Sequence, residues 1–159
     1  MHANVERFLE AAATRGLAID PSRFPEGTRT AQDAAAAVGC DVGQIVKSLV
    51  FVLDAAPVVA LVSGSNRLDE QKLATTLGGE QVRRADAEVV RDSTSYPIGG
   101  VPPFGHSSDL PTAIDRDLLA HDVVWAAAGT PNDVFAVDPA ELVRVCGATV
   151  GDLAVEDSS

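Results

Sequence analysis

Lys47 and a glycine–proline loop at residues 99–106 carry the strongest chemical content of this 159-residue sequence. Lys47 is the only lysine among the first 70 residues, and it heads the apolar run Ser48-Leu49-Val50-Phe51. A lysine there is expensive to bury unless it faces a cleft or a partner. Its position admits two readings. One is a cation that holds a phosphate or carboxylate; the other is a strand-end ammonium that reaches solvent along its own methylenes. The loop reads Gly99-Gly100-Val101-Pro102-Pro103-Phe104-Gly105-His106. Successive glycines let neighbouring N–H groups point the same way, which makes an anion nest or an oxyanion hole. The two prolines stiffen the chain, so such amides would be preorganised. A rigid surface turn uses the same residue types. His106 reads equally as a base, as a group that orients substrate, or as an exposed loop histidine.

Other chemistries find no pattern. Ser63-Gly64-Ser65 lacks the GxSxG spacing of a nucleophile elbow, and no Ser-His-Asp constellation can be assigned. There is no P-loop and no GxGxxG. Three scattered histidines, with Cys40 and Cys146 far apart, do not have metal-ligand spacing. No metal and no cofactor is therefore expected. Asp115 ends a strand and reads as the cap of the turn that follows. Gly129-Thr130 lies between two strands and reads as a hairpin turn.

The elements that must position these residues follow from periodicity and caps. Val5, Phe8, Leu9 and Ala12 recur at helical spacing, which predicts a helix over 4–15. Thr30 caps a short helix to Val38, and Asp41 caps one more turn through Gln44-Ile45-Val46. Residues 47–53 and 58–62 are β-rich and predict a hairpin around Asp54-Ala55-Ala56-Pro57. A helix is expected over 68–77, a short strand over 81–84, and a helix from Asp86 through Val90. Residues 93–110 form the longest irregular stretch, and a loop of that length inside a compact domain is usually functional. Strands at 112–114, 123–127 and 134–137 follow, with a helical turn at 116–119. A final helix opens at Pro139 behind Asp138, and residues 151–159 read as a frayed acidic tail. The order predicts one mixed α/β (α+β) domain over 1–159, without the helix lengths of a doubly wound sheet.

Composition sets the limits. Hydrophobic residues make up 46% and charged residues 22%, as in a packed globule. Formal net charge is −11, which argues against a broad footprint on duplex DNA or RNA and against an anionic membrane. No apolar run approaches a membrane span, no signal peptide is expected, and two lone thiols suit a reducing cytoplasm.

Together these stretches resemble the YbaK/prolyl-tRNA-synthetase-associated (INS-like) editing family. The resemblance runs in order over about residues 5–150. It rests on Thr30-Ala31-Gln32-Asp33, Gln44-Ile45-Val46-Lys47-Ser48-Leu49, Val62-Ser63-Gly64-Ser65 and the Gly99–Gly105 run. Ala113-Ile114-Asp115, Ala128-Gly129-Thr130 and Asp138-Pro139-Ala140-Glu141 complete it. The pairing of I-V-K with G-x-x-x-P is the specific part.

The resemblance implies a mixed sheet curled toward a barrel, with peripheral helices. It implies hydrolysis, in trans, of the ester in mischarged aminoacyl-tRNA. Lys47 would engage the phosphate or ribose of the terminal adenosine. Backbone groups of Gly99, Gly100 and Val101 would hold the aminoacyl carbonyl and place a water, with the substrate's own ribose hydroxyl assisting. Ser48, Ser63, Gly64, Pro103, Phe104, Gly105, His106, Asp115 and Gly129 would contact substrate. The implied partners are the 3′ end of aminoacyl-tRNA and a synthetase that delivers it. Ser48 stands where threonine is frequent, and Ser95-Tyr96-Pro97 replaces the commoner Thr-Gly-Tyr. The amino acid removed is left open. An inactive relative that only binds a nucleotide, a tRNA end or a synthetase is the rival; a small-ester hydrolase is a third, disfavoured by the missing triad.

Charge by segment fits a small footprint. Residues 1–50, 51–110 and 111–159 carry −1, −3 and −7. The acidity is concentrated behind the expected site. Lys47, with Arg67, Lys72, Arg83 or Arg84, would supply a cationic spot large enough for one adenosine.

Overall fold

In the computed structural model, residues 2–25 and 30–156 are described. The helices begin where a side chain can accept orphan N–H groups. His2 caps α1 (Ala3–Thr14), Thr30 caps α2 (Ala31–Val38) and Asp69 caps α3 (Glu70–Leu77). Asp86 caps α4 (Ala87–Thr94), and Asp138 caps α5 (Pro139–Cys146) with proline at its first turn.

Two sheets form the frame. The larger has the order β4-β2-β3-β5-β8, built from β2 (Val46–Leu53), β3 (Ala56–Ser63), β4 (Val82–Arg84), β5 (Thr112–Asp115) and β8 (Thr149–Gly151). It is mixed: β2 runs antiparallel to β3 and β4, while β5 is parallel to β3 and β8. The smaller sheet orders β1 (Ser22–Arg23), β7 (Asp133–Val137) and β6 (Val124–Ala127). The two sheets are bridged where Ile45 pairs with Trp125.

Apolar alternation decides what each sheet face covers. Val46 and Val50 join a core with Phe8, Val101, Phe104, Ile114 and Phe135. Phe51 and Leu53 face a second core with Val62, Leu73 and Leu153 under α3. Phe8, Phe104 and Phe135 pack with centroids 4.8, 5.0 and 6.4 Å apart, each pair worth about 0.5–1.5 kcal/mol beyond its area.

Four local expectations are corrected. The turn behind Asp41 is a 3-10 turn over Val42–Gln44; Ile45 and Val46 are extended because they pair with Trp125 and Ser63. The β2–β3 turn is only Asp54-Ala55, both at positive φ, so Ala56 and Pro57 belong to β3. Helix α4 continues past Val90 to Thr94, since the Ser93 and Thr94 hydroxyls donate back to the Val89 and Val90 carbonyls. Residues 149–156 are not frayed. β8 lies beside β5, Leu153 is fully buried, and Ala154 bridges Leu68. Residues 157–159 of the expected tail lie outside the described residues. Strands β1 and β8 are too short to show a period, and the sequence reading missed them.

Candidate functional site

β2 is paired with β3 along its whole length, but β4 meets its other edge only from Phe51 to Leu53. Among the described residues, no strand covers that edge from Lys47 to Val50. A cavity of about 500 Å³ lies there. Its walls come from β2, from Ala31 and Ala34 of α2, from Trp125 of β6, and from Ile98, Gly99 and Val101. Lys47, Ser48, Gly99 and Val101 therefore share one cavity, and Arg84 stands at its wall.

The half-buried Lys47 side chain donates from Nζ to the Asn66 carbonyl at 2.5 Å. Asn66 is held in turn: its Nδ2 donates to Asp115 Oδ2 at 2.8 Å and to Asp117 Oδ2 at 2.7 Å. Asp115 is buried and also accepts from the Ser63 N–H at 3.1 Å and the Asp117 N–H at 3.0 Å. Ser63 Oγ donates to the Gly43 carbonyl, and the Gly64 N–H donates to the Ile45 carbonyl. Ser63, Gly64 and Asp115 thus line neither this cavity nor the second one; they brace the loop that carries Asn66. Burial pushes the Lys47 ammonium below the ordinary lysine value, while the charge of Asp115 pulls it back up. The arrangement holds a cation beside an apolar cavity with a carboxylate behind it, the form suited to an anionic ligand.

Ser48 adds the second polar feature. Its Oγ is buried and, among the described residues, has no hydrogen-bond partner. A buried hydroxyl without a partner is costly, and a ligand in the cavity can supply one.

The glycine loop is built on close approach. A Cβ at Gly100 would stand 2.8 Å from the Thr130 Cα and 2.9 Å from its carbonyl carbon, both backbone atoms that cannot step aside. Gly99 has φ +88°, a region that favours glycine. The Gly100 N–H donates to the Pro97 carbonyl at 3.0 Å. Of the three amides expected to face a carbonyl, that one is already engaged. The Gly99 and Val101 N–H groups make no hydrogen bond among the described residues.

The loop then leaves this cavity. Pro103, Phe104, Gly105 and His106 line a second cavity of about 380 Å³, with Arg15 and Cys146. His106 Nε2 contacts the Pro102 carbonyl at 2.7 Å, and burial holds its pKa below the ordinary histidine value. Gly129 lies in the β6–β7 turn and lines neither cavity; its carbonyl accepts from Asn4 Nδ2 at 3.1 Å.

Among the other cations, Lys72 is bound to Asp152 at 2.8 Å and to the Ala154 carbonyl, and Arg67 and Arg83 line neither cavity. Sequence reasoning missed Asn66, Ile98 and the α2 alanines, which carry no local signal. Trp125 did carry one, as the only tryptophan in the chain. Among the described residues, no helix is long and apolar enough to cross a membrane.

Known proteins share this arrangement of elements. A crystal structure described as a candidate trans-editing enzyme for prolyl tRNA synthetase superposes with a TM-score of 0.93 at 46% identity, covering 98% of this chain and 99% of that one. The proline–tRNA ligase of Maridesulfovibrio salexigens is 32% identical over 82% of this chain, which spans only 23% of the ligase's length. An Enterococcus faecalis protein described as a candidate Cys-tRNA(Pro)/Cys-tRNA(Cys) deacylase, EbsC, is 25% identical over 84% of this chain and 82% of its own. A family model described as the aminoacyl-tRNA editing domain matches residues 25–145, and the chain belongs to that family.

Proposed function

We propose that this chain hydrolyses the ester of mischarged aminoacyl-tRNA in trans, in the cavity along the open edge of β2. The observation that carries the reading is that Lys47, Ser48, Gly99 and Val101 line one cavity whose other walls are mostly apolar. Lys47 meets the phosphate or ribose of the terminal adenosine. The N–H groups of Gly99 and Val101 donate to the ester carbonyl and, more strongly, to the oxyanion that forms when water adds. The apolar walls take the amino-acid side chain. Water attacks the carbonyl carbon, the ester oxygen leaves with a proton, and free amino acid and uncharged tRNA result. The substrate's neighbouring ribose hydroxyl assists that water, so placement rather than a protein nucleophile supplies the rate.

The footprint is small. Among the described residues, Lys47 and Arg84 are the cations at the cavity, so the tRNA body contributes little affinity. A synthetase or another carrier delivers the substrate.

The test is loss of the ester from a panel of mischarged tRNAs, with Lys47→Ala as the control. Hydrolysis of at least one member, abolished in the variant, supports the reading. Binding of the charged 3′ end without hydrolysis of any member replaces it with the binding-module reading.

A further inference from the structure

Pro102 and Pro103 have no N–H, so their carbonyls are the only backbone hydrogen-bonding groups in the dipeptide. Both residues are buried. Among the described residues, neither carbonyl takes part in a backbone–backbone hydrogen bond outside the regular elements, and neither residue belongs to one. Each is met by a side chain instead. His106 Nε2 lies 2.7 Å from the Pro102 oxygen, and Cys146 Sγ, from the end of α5, lies 3.3 Å from the Pro103 oxygen. A buried carbonyl left without a donor is costly, so these two contacts fix where the dipeptide sits.

The dipeptide follows directly on Gly99-Gly100-Val101. Gly99 and Val101 line the first cavity, whereas His106 and Cys146 line the second. We propose that His106 and Cys146 are positioning residues, which clamp consecutive proline carbonyls from the second cavity and thereby hold the Gly99 and Val101 amides in register with the first. The proposal rests on the deacylase reading for its effect on rate, but its structural part stands apart from it.

The chemistry is consistent at both contacts. A carbonyl only accepts, so His106 carries its proton on Nε2 and donates. Burial keeps the imidazole neutral. Burial also pushes the Cys146 thiol up to about 12, which keeps the S–H in place as a donor at neutral pH. Arg15 stands over the Phe104 ring, 5.4 Å from its centroid, and its charge opposes the burial effect on the thiol and reinforces the one on His106.

Two pairs of variants separate clamping from mere packing. His106→Leu and Cys146→Ala remove a donor. His106→Gln and Cys146→Ser keep one. Three readings are taken: kcat and KM on mischarged tRNA, exchange of the Gly100 amide with deuterium, and the 13C shifts of the Pro102 and Pro103 carbonyls. The donor-deleting variants are expected to lower kcat ~10- to 100-fold with KM within about twofold, as for a misplaced rather than missing catalytic group. Gly100 exchange accelerates and the affected proline carbonyl shift moves. The donor-keeping variants restore all three. Unchanged Gly100 exchange and kcat in both deleting variants would overturn the proposal, as would equal losses in the deleting and keeping variants. If the unaltered protein hydrolyses no ester, the deacylase reading fails alone, and exchange with the carbonyl shifts decides the clamp. If His106→Leu does not fold, the cysteine pair decides it.

Discussion

The two cavities share one loop and differ in nearly everything else. The first is walled mainly by apolar residues of β2, α2 and β6; it holds the half-buried Lys47 ammonium, bound to the Asn66 carbonyl, and the Ser48 hydroxyl, which has no partner among the described residues. The second is lined by Arg15, His106, Ser107 and Ser108 among others, and its His106 and Cys146 already have partners within the chain. Unmet polar groups mark the place where a ligand completes the structure, and met ones mark a scaffold. Type of residue alone would have favoured the second cavity, which has the histidine, the thiol and the hydroxyls. Hydrogen-bond accounting favours the first.

The largest effect that tests this contrast is on Lys47. Lys47→Ala should lower deacylation at least ~100-fold, the scale of a substrate misplaced at the reacting centre, with little loss of stability. Melting and single-turnover rates read both. A variant that melts early with its rate intact would make Lys47 a structural residue.

Gly100→Ala comes next. Its Cβ would meet the Thr130 backbone at 2.8 Å, so the loop must shift. The expected cost is about 1–3 kcal/mol of stability, with a rate loss beyond what the melting change explains. Denaturant unfolding and kcat together check it.

The second cavity supplies a pH signature in stability. The native pKa of His106 lies below the unfolded value. Well above about pH 6.5 both states are neutral there, and the residue contributes no pH dependence. As pH falls through the unfolded value toward the native one, the unfolded state takes up a proton that the native state refuses, and stability drops. Below the native value the loss levels off. Arg15 and Asp109 line the same cavity, so the comparison is between the unaltered protein and His106→Gln, whose melting curve should be flatter over that window.

The smallest effect is at Ser48. Ser48→Ala removes a buried hydroxyl with no partner among the described residues, so stability should hold or rise by up to about 1 kcal/mol. KM should rise a fewfold if substrate supplies the missing partner. A clear loss of stability would show that the hydroxyl is already satisfied.

Most of the frame could be read from the sequence, because caps and alternation are local. Thr30, Asp86 and Asp138 each accept from the first turn of their helix as expected, and residues 47–53 form the expected strand, while Asp69, placed inside the helix expected over 68–77, caps it instead. What could not be read depends on pairing across the chain. Leu153 looked like tail because nothing near it in sequence shows that β8 lies beside β5. The family resemblance pairs Lys47 with the loop at residues 99–101, of which Gly99 and Val101 line the same cavity as Lys47. The same resemblance grouped His106 with them, five residues beyond Val101. The prolines between carry the chain out of the first cavity, a change of direction that spacing does not encode. The resemblance also assigns the Gly100 amide to substrate, whereas its N–H donates to the Pro97 carbonyl, three residues back.

The most direct test is a titration with a non-hydrolysable 3′-aminoacylamino-adenosine, followed through the 15N shifts of backbone amides and of Lys47 Nζ. The account predicts that Gly99, Val101 and Lys47 move on binding while Ser107, Ser108 and the Arg15 side chain stay where they are. Movement confined to Arg15, Ser107 and Ser108, with Gly99, Val101 and Lys47 still, would place the ligand in the second cavity and contradict it.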